Sequence, residues 1–248
     1  MNFLRFFTPR QSFISSALLH DSTDIHSHIL PGVDDGISNY PEAVEALRWL
    51  KNAGVGRLYL TPHIMSDFSK NTSATLSAHF DSFIQKLEND GITDIPALQL
   101  GAEYMLEAAL ATHKKDGLLT FAGRHVLVET SYITPPLGFS EILENLLENN
   151  YSPVLAHPER YQYMDMNDYE RLKNQGIKLQ LNFIVLTGIY GTVIREKAEH
   201  LLQEDMYDFT GSDMHRLSRH RDVYSLQKLS EKQILKLQKL FRNNRSLW

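Results

Sequence analysis

Short apolar runs rich in β-branched residues alternate along the chain with longer amphipathic stretches. The runs predict roughly seven strands, at residues 23–26, 55–60, 97–104, 125–130, 152–157, 177–182 and 206–213. The stretches between them predict helices that are long enough to cross over between parallel strands. This repeated strand and helix order indicates an α/β fold, a closed or nearly closed parallel barrel with its helices outside.

The predicted helices carry recognisable start and stop signals. One begins after Asn39, with Pro41 and Glu42 in its first turn, and ends near Gly54. The others are predicted from Thr72 or Ser73 to Gly91, from Ser140 to about Asn150, over 192–204, and as a further surface helix over 222–243.

Composition narrows the class of protein. The chain has 248 residues, of which 42% are hydrophobic and 22% charged, so it is an ordinary globular chain. A net charge of -5 gives no basic field for nucleic acid. The absence of cysteine excludes disulfides, zinc ribbons and a thiol nucleophile, whereas eleven histidines need an explanation.

The N-terminal residues are mildly apolar, but Arg5, Pro9 and Arg10 interrupt them before a membrane-spanning length is reached. We interpret residues 1–22 as an N-terminal arm that packs on the domain or is flexible. No linker or repeat divides the rest, so residues 23–248 are predicted to form a single domain. We expect a cytoplasmic protein with no membrane insertion; the sequence does not indicate its oligomeric state.

Polar residues cluster where the predicted strands end. They are Asp24, His26, His28, His63, Glu103, Glu129, His157, Asp213 and His215. In an α/β barrel the carboxyl ends of the strands converge on one mouth, so these side chains can face a shared centre. His26 and His28 are two residues apart on an extended strand and project to the same face. Imidazoles and carboxylates without thiols suit Mn²⁺, Fe or Zn²⁺, and we predict a metal centre.

Six motifs carry a resemblance to a known family. They are DIHSHILPGVDDG (24–36), TPH (61–63), GAEY (101–104), VETSYITPP (128–136), AHPERY (156–161) and GSDMH (211–215). Together they resemble the PHP-type bacterial protein-tyrosine phosphatases of capsular and exopolysaccharide biosynthesis, the CpsB/CapC type, from about Asp24 to about His220. The resemblance implies a distorted (β/α)7 TIM-like barrel of the PHP type, with a trinuclear, usually Mn²⁺-dependent centre.

The resemblance also implies three sets of metal ligands. The first ion would be held by His26, His28, Glu103 and Asp213, the second by Glu103, Glu129 and His157, and the third by Asp35, His63 and His215. Glu103 would bridge two ions. The remaining histidines are predicted to be solvated: His20, His79, His113, His125, His200 and His220.

Several neighbours of these residues are expected to support the ligands or to contact the substrate. Asp24 is expected to orient a ligand histidine from behind, and Asp34 to shape the turn before Asp35. Arg160 either clamps phosphate or forms a surface pair with Glu159. Of Arg216, Arg219 and Arg221, the resemblance favours Arg219 as a second phosphate contact. Tyr104, Tyr132, Tyr161 and the loop 64–74 are candidate walls of a substrate cleft.

The function implied is hydrolysis of phosphotyrosine by a metal-bound hydroxide, with Arg160 and Arg219 on the phosphate and Asp35 or His215 relaying a proton. The implied substrate is a phosphotyrosine-containing protein, the tail of a bacterial tyrosine kinase of polysaccharide biosynthesis.

Three alternatives stay open from the sequence. They are a PHP phosphatase of a small phosphomonoester such as histidinol phosphate, an amidohydrolase whose barrel also begins with HxH, and a metal-binding barrel without catalysis.

Overall fold

The computed structural model describes residues 9–115 and 117–248, and within them the strands are short and all strand ladders are parallel. The strands are β1 (Ser22–Asp24), β2 (Val55–Leu60), β3 (His63–Ile64), β4 (Ala97–Leu100), β5 (Glu103–Met105), β6 (His125–Glu129), β7 (Ser152–Ala156), β8 (Lys178–Asn182) and β9 (Phe209–Gly211). The predicted α/β fold with parallel strands is confirmed.

The nine described strands form seven strand positions of a barrel, here called staves, because β2 and β3 make up one position and β4 and β5 another, each pair with a break of two residues between them. The breaks divide the ladders into two sheets, ordered β1-β2-β4 and β3-β5-β6-β7-β8-β9. An isolated parallel bridge between Ser27 and Met214 joins the first stave to the last. The prediction of one strand over 97–104 therefore missed the break at Gly101 and Ala102.

A buried amide also ties β1 to β9 at the opposite end of these strands. The Asn244 side chain donates to the carbonyl oxygens of Thr23 and Thr210 and accepts from the Thr210 amide. Asn244 is fully buried, so these bonds replace those that a continuous ladder would have made.

Helices cover the outside of the sheets. They are α1 (Tyr40–Ala53), α2 (Ser73–Asn89), α3 (Leu110–Lys115), α4 (Phe139–Glu148), α5 (Met166–Asn174), α6 (Thr192–Gln203), α7 (Leu217–Tyr224) and α8 (Glu231–Asn244). The sequence signals for α1 are confirmed: the Asn39 side chain accepts from the Glu42 amide, and Gly54 ends the helix at φ 109°.

Two helix predictions were wrong in detail. The segment 222–243 is not one helix, because α7 ends at Tyr224 and α8 starts anew behind a capping box of Ser230 and Gln233. Helix α4 begins at Phe139 after a left-handed Gly138, so Ser140 does not cap it. Helices α3 and α5 were not predicted.

Residues 11–22 pack against the barrel rather than project from it. Gln11 pairs with Leu229 in an antiparallel bridge, and Phe13 is fully buried against Phe183 and Tyr224. Residues 1–8 of the predicted arm lie outside the described residues. Among the helices that the structure describes, none has the length and apolar character needed to cross a bilayer.

Candidate metal centre

The polar residues singled out in the sequence lie at one edge of the barrel, just beyond the carboxyl ends of the staves. Glu129 is the last residue of β6, His157 follows β7 directly, and Asp213 lies two residues after β9. His63 and Glu103 are the first residues of β3 and β5, beyond the breaks that follow β2 and β4. The parallel direction of every ladder therefore brings all of these side chains to one mouth.

Two of these residues have strained backbones. His157 has φ 32° and Asp213 has φ 53°, in the left-handed region that side chains other than glycine rarely adopt. Such conformations cost on the order of 1–3 kcal/mol each and persist where surrounding structure imposes them. Here the strain turns each side chain out of its strand direction and into the cluster.

Close packing behind the first two histidines requires glycine. A Cβ at Gly211 would lie 2.6 Å from the Cβ of His26, and one at Gly36 would lie 2.2 Å from the carbonyl oxygen of His28. Any side chain at either position would therefore displace a histidine from the cluster.

His26, His28, Glu103 and Asp213 form a buried group around one point. The Nε2 atom of His26 lies 3.1 Å from Glu103 Oε2 and 3.5 Å from Asp213 Oδ1. The Nε2 atom of His28 lies 3.3 Å and 3.6 Å from the same two oxygens. The set predicted for the first ion is thus brought together by the fold.

The hydrogen bonds behind these rings indicate which nitrogen carries a proton. Nδ1 of His26 lies 2.9 Å from Oε1 of Gln180, an acceptor, and Nδ1 of His28 lies 2.8 Å from Oδ2 of Asp34. Both Nδ1 atoms must donate, which in neutral rings leaves both Nε2 atoms as bare lone pairs. Those two atoms are only 3.1 Å apart. Two facing lone pairs need a cation between them.

Unpaired buried atoms point to the same conclusion. Oδ1 of Asp213 and Nδ1 of His63 and of His157 are buried and make no hydrogen bond of good geometry, although Asp213 Oδ1 and His63 Nδ1 each have a neighbour of opposite charge within 3.5 Å. Burial opposes a charged ring at His26, but the negative charges of Glu103 and Asp213 outweigh it and raise its pKa to about 9. The same negative charges favour a metal ion, which would displace a proton from His26.

Glu103 connects a second group that differs from the predicted one. Its Oε1 lies 3.0 Å from His157 Nε2, and Glu129 Oε2 lies 3.9 Å from the same nitrogen. His63 Nδ1 lies nearer to Glu129, at 3.0 Å from Oε1, and 3.3 Å from Glu103 Oε2. Glu103, Glu129 and His63 are therefore the tighter trio, with His157 beside it.

A third group lies nearer to solvent. Asp35 Oδ1 lies 3.5 Å from His63 Nε2 and 3.4 Å from His215 Nε2. His28 lies close enough to join Asp35, His63 and His215 in this group, although the prediction did not include His28 here. Burial opposes charge on His215, but contacts with Asp213 and Asp35 raise its pKa to about 11. The Asp35 side chain is 61% exposed, so this end of the site is open.

Arg160 reaches over the buried cluster from the turn after β7. Its Nη1 donates to Asp213 Oδ2 at 3.1 Å, and its guanidinium carbon lies 4.2 Å from the ring centre of Tyr132. The surface pair with Glu159 does not form. The Glu159 side chain is buried and accepts from the Asn182 amide and the Tyr207 hydroxyl.

Arg219 lies on the same side of the mouth, on α7, with its guanidinium carbon 5.5 Å from the ring centre of Tyr190. Tyr190 also lies 5.2 Å from the guanidinium carbon of Arg160, so one ring contacts both arginines. A cavity of about 330 Å³ opens here, lined by both arginines, both tyrosines and Arg216. Arg221 does not line it and pairs with Glu45. Tyr190 was not predicted, since an isolated tyrosine in a loop carries no signal.

Other predicted neighbours have different roles from those expected. Asp24 accepts from the backbone amides of His26 and Ser212, so it does not orient an imidazole. Asp34 does, through Nδ1 of His28, in addition to bonding the Gly36 amide of the turn. His220 was predicted to be solvated but is buried, because its ring nitrogens lie 3.1 Å and 3.2 Å from the carbonyl oxygens of Arg216 and Ser212.

The candidate walls of the cleft are only partly as expected. Tyr104 and Tyr161 are fully buried, whereas Tyr132 lines the cavity. In the loop 64–74, Phe68 stacks on the ring of His63 and does not line the cavity.

The fold and the site define a parallel α/β barrel whose mouth holds overlapping groups of histidines and carboxylates, each of which could hold a metal ion. The chain belongs to the CpsB/CapC family of capsular polysaccharide synthesis, whose family model matches residues 22–244. This confirms the resemblance read from the motifs.

Named relatives agree with this membership. The chain is 27% identical to the tyrosine-protein phosphatase YwqE of Bacillus subtilis, over 77% of this chain and 76% of that protein. It is 27% identical to the tyrosine-protein phosphatase CpsB of Streptococcus pneumoniae, over 78% and 83% respectively. A putative tyrosine-protein phosphatase CapC of Staphylococcus aureus is 25% identical, over 79% and 77%.

Solved structures share the fold. One comes from work on YwqE of Bacillus subtilis and CpsB of Streptococcus pneumoniae, described as unique metal-dependent tyrosine phosphatases. It has a TM-score of 0.71 and 24% identity, over 89% of this chain and 94% of that chain. An inactive dihydroorotase-like domain from Chaetomium thermophilum has a TM-score of 0.50 and 10% identity, over 88% and 71%.

Proposed function

We propose that this protein is a metal-dependent protein-tyrosine phosphatase. The observation that carries the proposal is the juxtaposition of the buried clusters, which share Glu103 and His28, with the arginine-lined cavity above them. In metal-assisted hydrolysis of a phosphate ester, cations stabilise charge on the phosphate oxygens, and the planar guanidinium of arginine suits bidentate binding of phosphate. The names of the curated relatives support the same reaction.

The proposed ligands follow the three groups of side chains. They are His26, His28, Glu103 and Asp213 for the first ion, Glu103, Glu129 and His157 for the second, and Asp35, His63 and His215 for the third. Each histidine is given to one ion, because a neutral imidazole has a single free nitrogen, whereas the two oxygens of Glu103 can reach two ions. Bound divalent ions would lower the pKa of water and offset negative charge on the phosphate. We propose Mn²⁺ as the metal, as the resemblance to the family implies; carboxylates and imidazoles without thiolate suit Mn²⁺ and also Fe or Zn²⁺.

The chain's own residues supply the rest of the reaction. Arg160 and Arg219 face the cavity and bind the non-bridging phosphate oxygens. Arg160 is held in place by Asp213 and by the Tyr132 ring, so its side chain loses little conformational entropy when the phosphate binds. Asp35 and His215 lie at the open end and move the proton to or from solvent.

The proposed substrate is phosphotyrosine in a protein. The rings of Tyr132 and Tyr190 line the cavity, and aromatic surface of this kind suits contact with the phenyl group of the substrate. A phenolate, with a pKa near 10, leaves more readily than an alkoxide. The tail of a bacterial tyrosine kinase is the proposed partner, in keeping with the family's link to capsule synthesis. The cytoplasmic location expected from the sequence stays a prediction.

The test is a phosphatase assay on the metal-stripped protein to which Mn²⁺, Fe²⁺, Zn²⁺ or Mg²⁺ is returned. Hydrolysis of a phosphotyrosyl peptide that depends on the metal and exceeds hydrolysis of histidinol phosphate and phosphoserine supports the proposal. A preference for histidinol phosphate would refute the substrate. Metal-bound protein that cleaves no phosphoester would show that the barrel binds metal without catalysis.

A further inference from the structure

Exposed apolar side chains concentrate beside the mouth of the cavity. Eight large hydrophobic residues are exposed in the part of the chain that the structure describes, and five of them lie in the segments 132–137 and 189–193. Those five are Tyr132, Ile133, Leu137, Ile189 and Val193. Leu137 is 99% exposed and Ile133 70%, so nothing within the chain covers them. Apolar side chains grouped around a functional opening indicate a contact surface.

The two segments meet at Arg160. Tyr132 and Tyr190 both stack on its guanidinium and both line the cavity. Ile133 directly follows one of these tyrosines and Ile189 directly precedes the other. The exposed apolar residues therefore belong to the same two segments as the tyrosines that line the cavity, next to the place where a polypeptide with one side chain in the cavity would lie.

Charge is absent from both segments. Residues 130–140 and 182–194 contain no Asp, Glu, Lys or Arg, although charged residues make up 22% of the chain. The arginines at the mouth, Arg160, Arg216 and Arg219, line the cavity and lie outside both segments. A partner with charged residues next to its phosphorylated side chain would find no opposite charge on these segments, whereas apolar residues would lose contact with water there.

Both segments are held in shape before anything binds. The carbonyl oxygen of Tyr132 accepts from the Gln162 amide, and Pro135 and Pro136 restrict the backbone that follows. On the other side, turns close through the Gly188 and Gly191 amides, with both glycines at positive φ. A preformed surface loses little conformational entropy on binding.

We propose that segments 132–137 and 189–193 form a docking surface for the substrate polypeptide, and that they bind apolar residues directly flanking the phosphotyrosine. This proposal rests on the phosphatase function proposed above and names its substrate class more closely. Ile133 and Ile189 determine the preference for a polypeptide over free phosphotyrosine.

The test compares three substrates of the metal-loaded protein: free phosphotyrosine, a phosphotyrosyl peptide with Leu and Ile on both sides, and the same peptide with Ser and Asp there. We expect KM to be lowest for the apolar peptide, by about five- to tenfold, because partial burial of one or two aliphatic side chains gives a factor of that size. The value of kcat should be similar for both peptides.

Variants then test whether the lower KM for the apolar peptide depends on the proposed docking surface. Ile133→Ser and Ile189→Ser should each raise KM for the apolar peptide by several-fold, leaving kcat and the hydrolysis of free phosphotyrosine as in the wild type. Leu235→Ser is the matched control, since Leu235 is 60% exposed on α8, does not line the cavity and should change neither constant. Exposed positions tolerate these changes without unfolding.

Three outcomes would overturn the docking surface. Equal KM for the two peptides in the wild type would show that the protein does not bind the residues flanking the phosphotyrosine. Ile133→Ser that alters the elution volume on size exclusion, with an unchanged KM, would make the patch an interface between copies of the chain. Failure to hydrolyse any phosphoester would refute the phosphatase function, and the docking surface with it.

Discussion

The site has two regions that differ in burial and in the interactions that hold their side chains: a floor, the candidate metal ligands, and a mouth, the residues around the opening of the cavity. The floor consists of buried histidines and carboxylates, of which His26, His28 and Glu103 are fully buried. The mouth consists of arginines stacked on tyrosines, with Tyr132 and Tyr190 still reached by solvent. Floor histidines are held by hydrogen bonds from behind, whereas both mouth arginines stack on tyrosine rings and Arg160 alone also pairs with the floor, through Asp213. Substitutions should therefore act on metal binding at the floor and on substrate binding at the mouth.

The largest effect is expected at the centre of the floor, from Glu103→Gln. The carboxylate contacts His26, His28, His63 and His157, and an amide would neither neutralise cations nor bridge them. Metal content measured by mass spectrometry should fall by at least one ion per chain. Metal-stimulated hydrolysis should fall by about 1000-fold or more. Full metal content with normal turnover would show that the clusters are not the metal centre.

A smaller effect is expected from Asp34→Asn, one step behind the floor. The variant keeps the shape of the turn but loses the carboxylate that orients His28 through Nδ1. Metal affinity should fall by about 10- to 100-fold, as for other groups that orient a metal-binding histidine. Competition with a chelator measures it. Excess metal should restore turnover to this variant but not to Glu103→Gln, which separates orientation from ligation.

At the mouth, Arg160→Lys should leave metal content unchanged. Lysine keeps the charge but loses the planar fork and the stacking on Tyr132. We expect kcat/KM for a phosphotyrosyl peptide to fall by about 100-fold, with weaker inhibition by inorganic phosphate. Arg219→Lys serves as the comparison and should lose less, because Arg219 makes no ion pair with the floor. Loss of metal from Arg160→Lys would mean that floor and mouth are not separable.

The smallest effect on turnover is expected from Glu159→Gln. Glu159 is a buried carboxylate outside the candidate metal groups, so the variant tests whether a buried carboxylate matters for turnover when it binds no metal. Burial raises the pKa of Glu159 to about 7, whereas contacts with histidines hold the pKa of Glu103 well below its usual value despite burial. A folded pKa above the unfolded value means that stability present at low pH is lost as pH rises through about 7.

Chemical denaturation of the wild type and Glu159→Gln at pH 5 and pH 8 measures this difference. From pH 5 to pH 8 the free energy of unfolding of the wild type should fall by up to about 3 kcal/mol relative to that of the variant. The glutamine can still accept from the Asn182 amide and donate to Tyr207, so turnover should stay near that of the wild type. An unchanged difference in stability across this range would show that Glu159 is ionised throughout.

The sequence by itself determined the parallel α/β fold and most residues of the floor. It could do so because a parallel barrel brings the carboxyl ends of its strands together, so a polar residue at a strand end belongs to the mouth wherever it lies in the chain. The motifs around His26, Glu103, His157 and Asp213 are local and therefore visible. The break after β4 was not visible, since the predicted strand over 97–104 runs through it, and the short β3 after β2 was not predicted.

Only the tertiary structure decided how each side chain is held. Gln180, 154 residues from His26, sets which nitrogen of that ring carries the proton. Tyr190 joins Arg160 to Arg219, and Asp24 holds two backbone amides where an imidazole partner was expected. These contacts depend on distances of a few ångströms between segments that are remote in sequence. Residue type and spacing specify which groups reach the mouth, and three-dimensional packing specifies which atoms they turn toward each other.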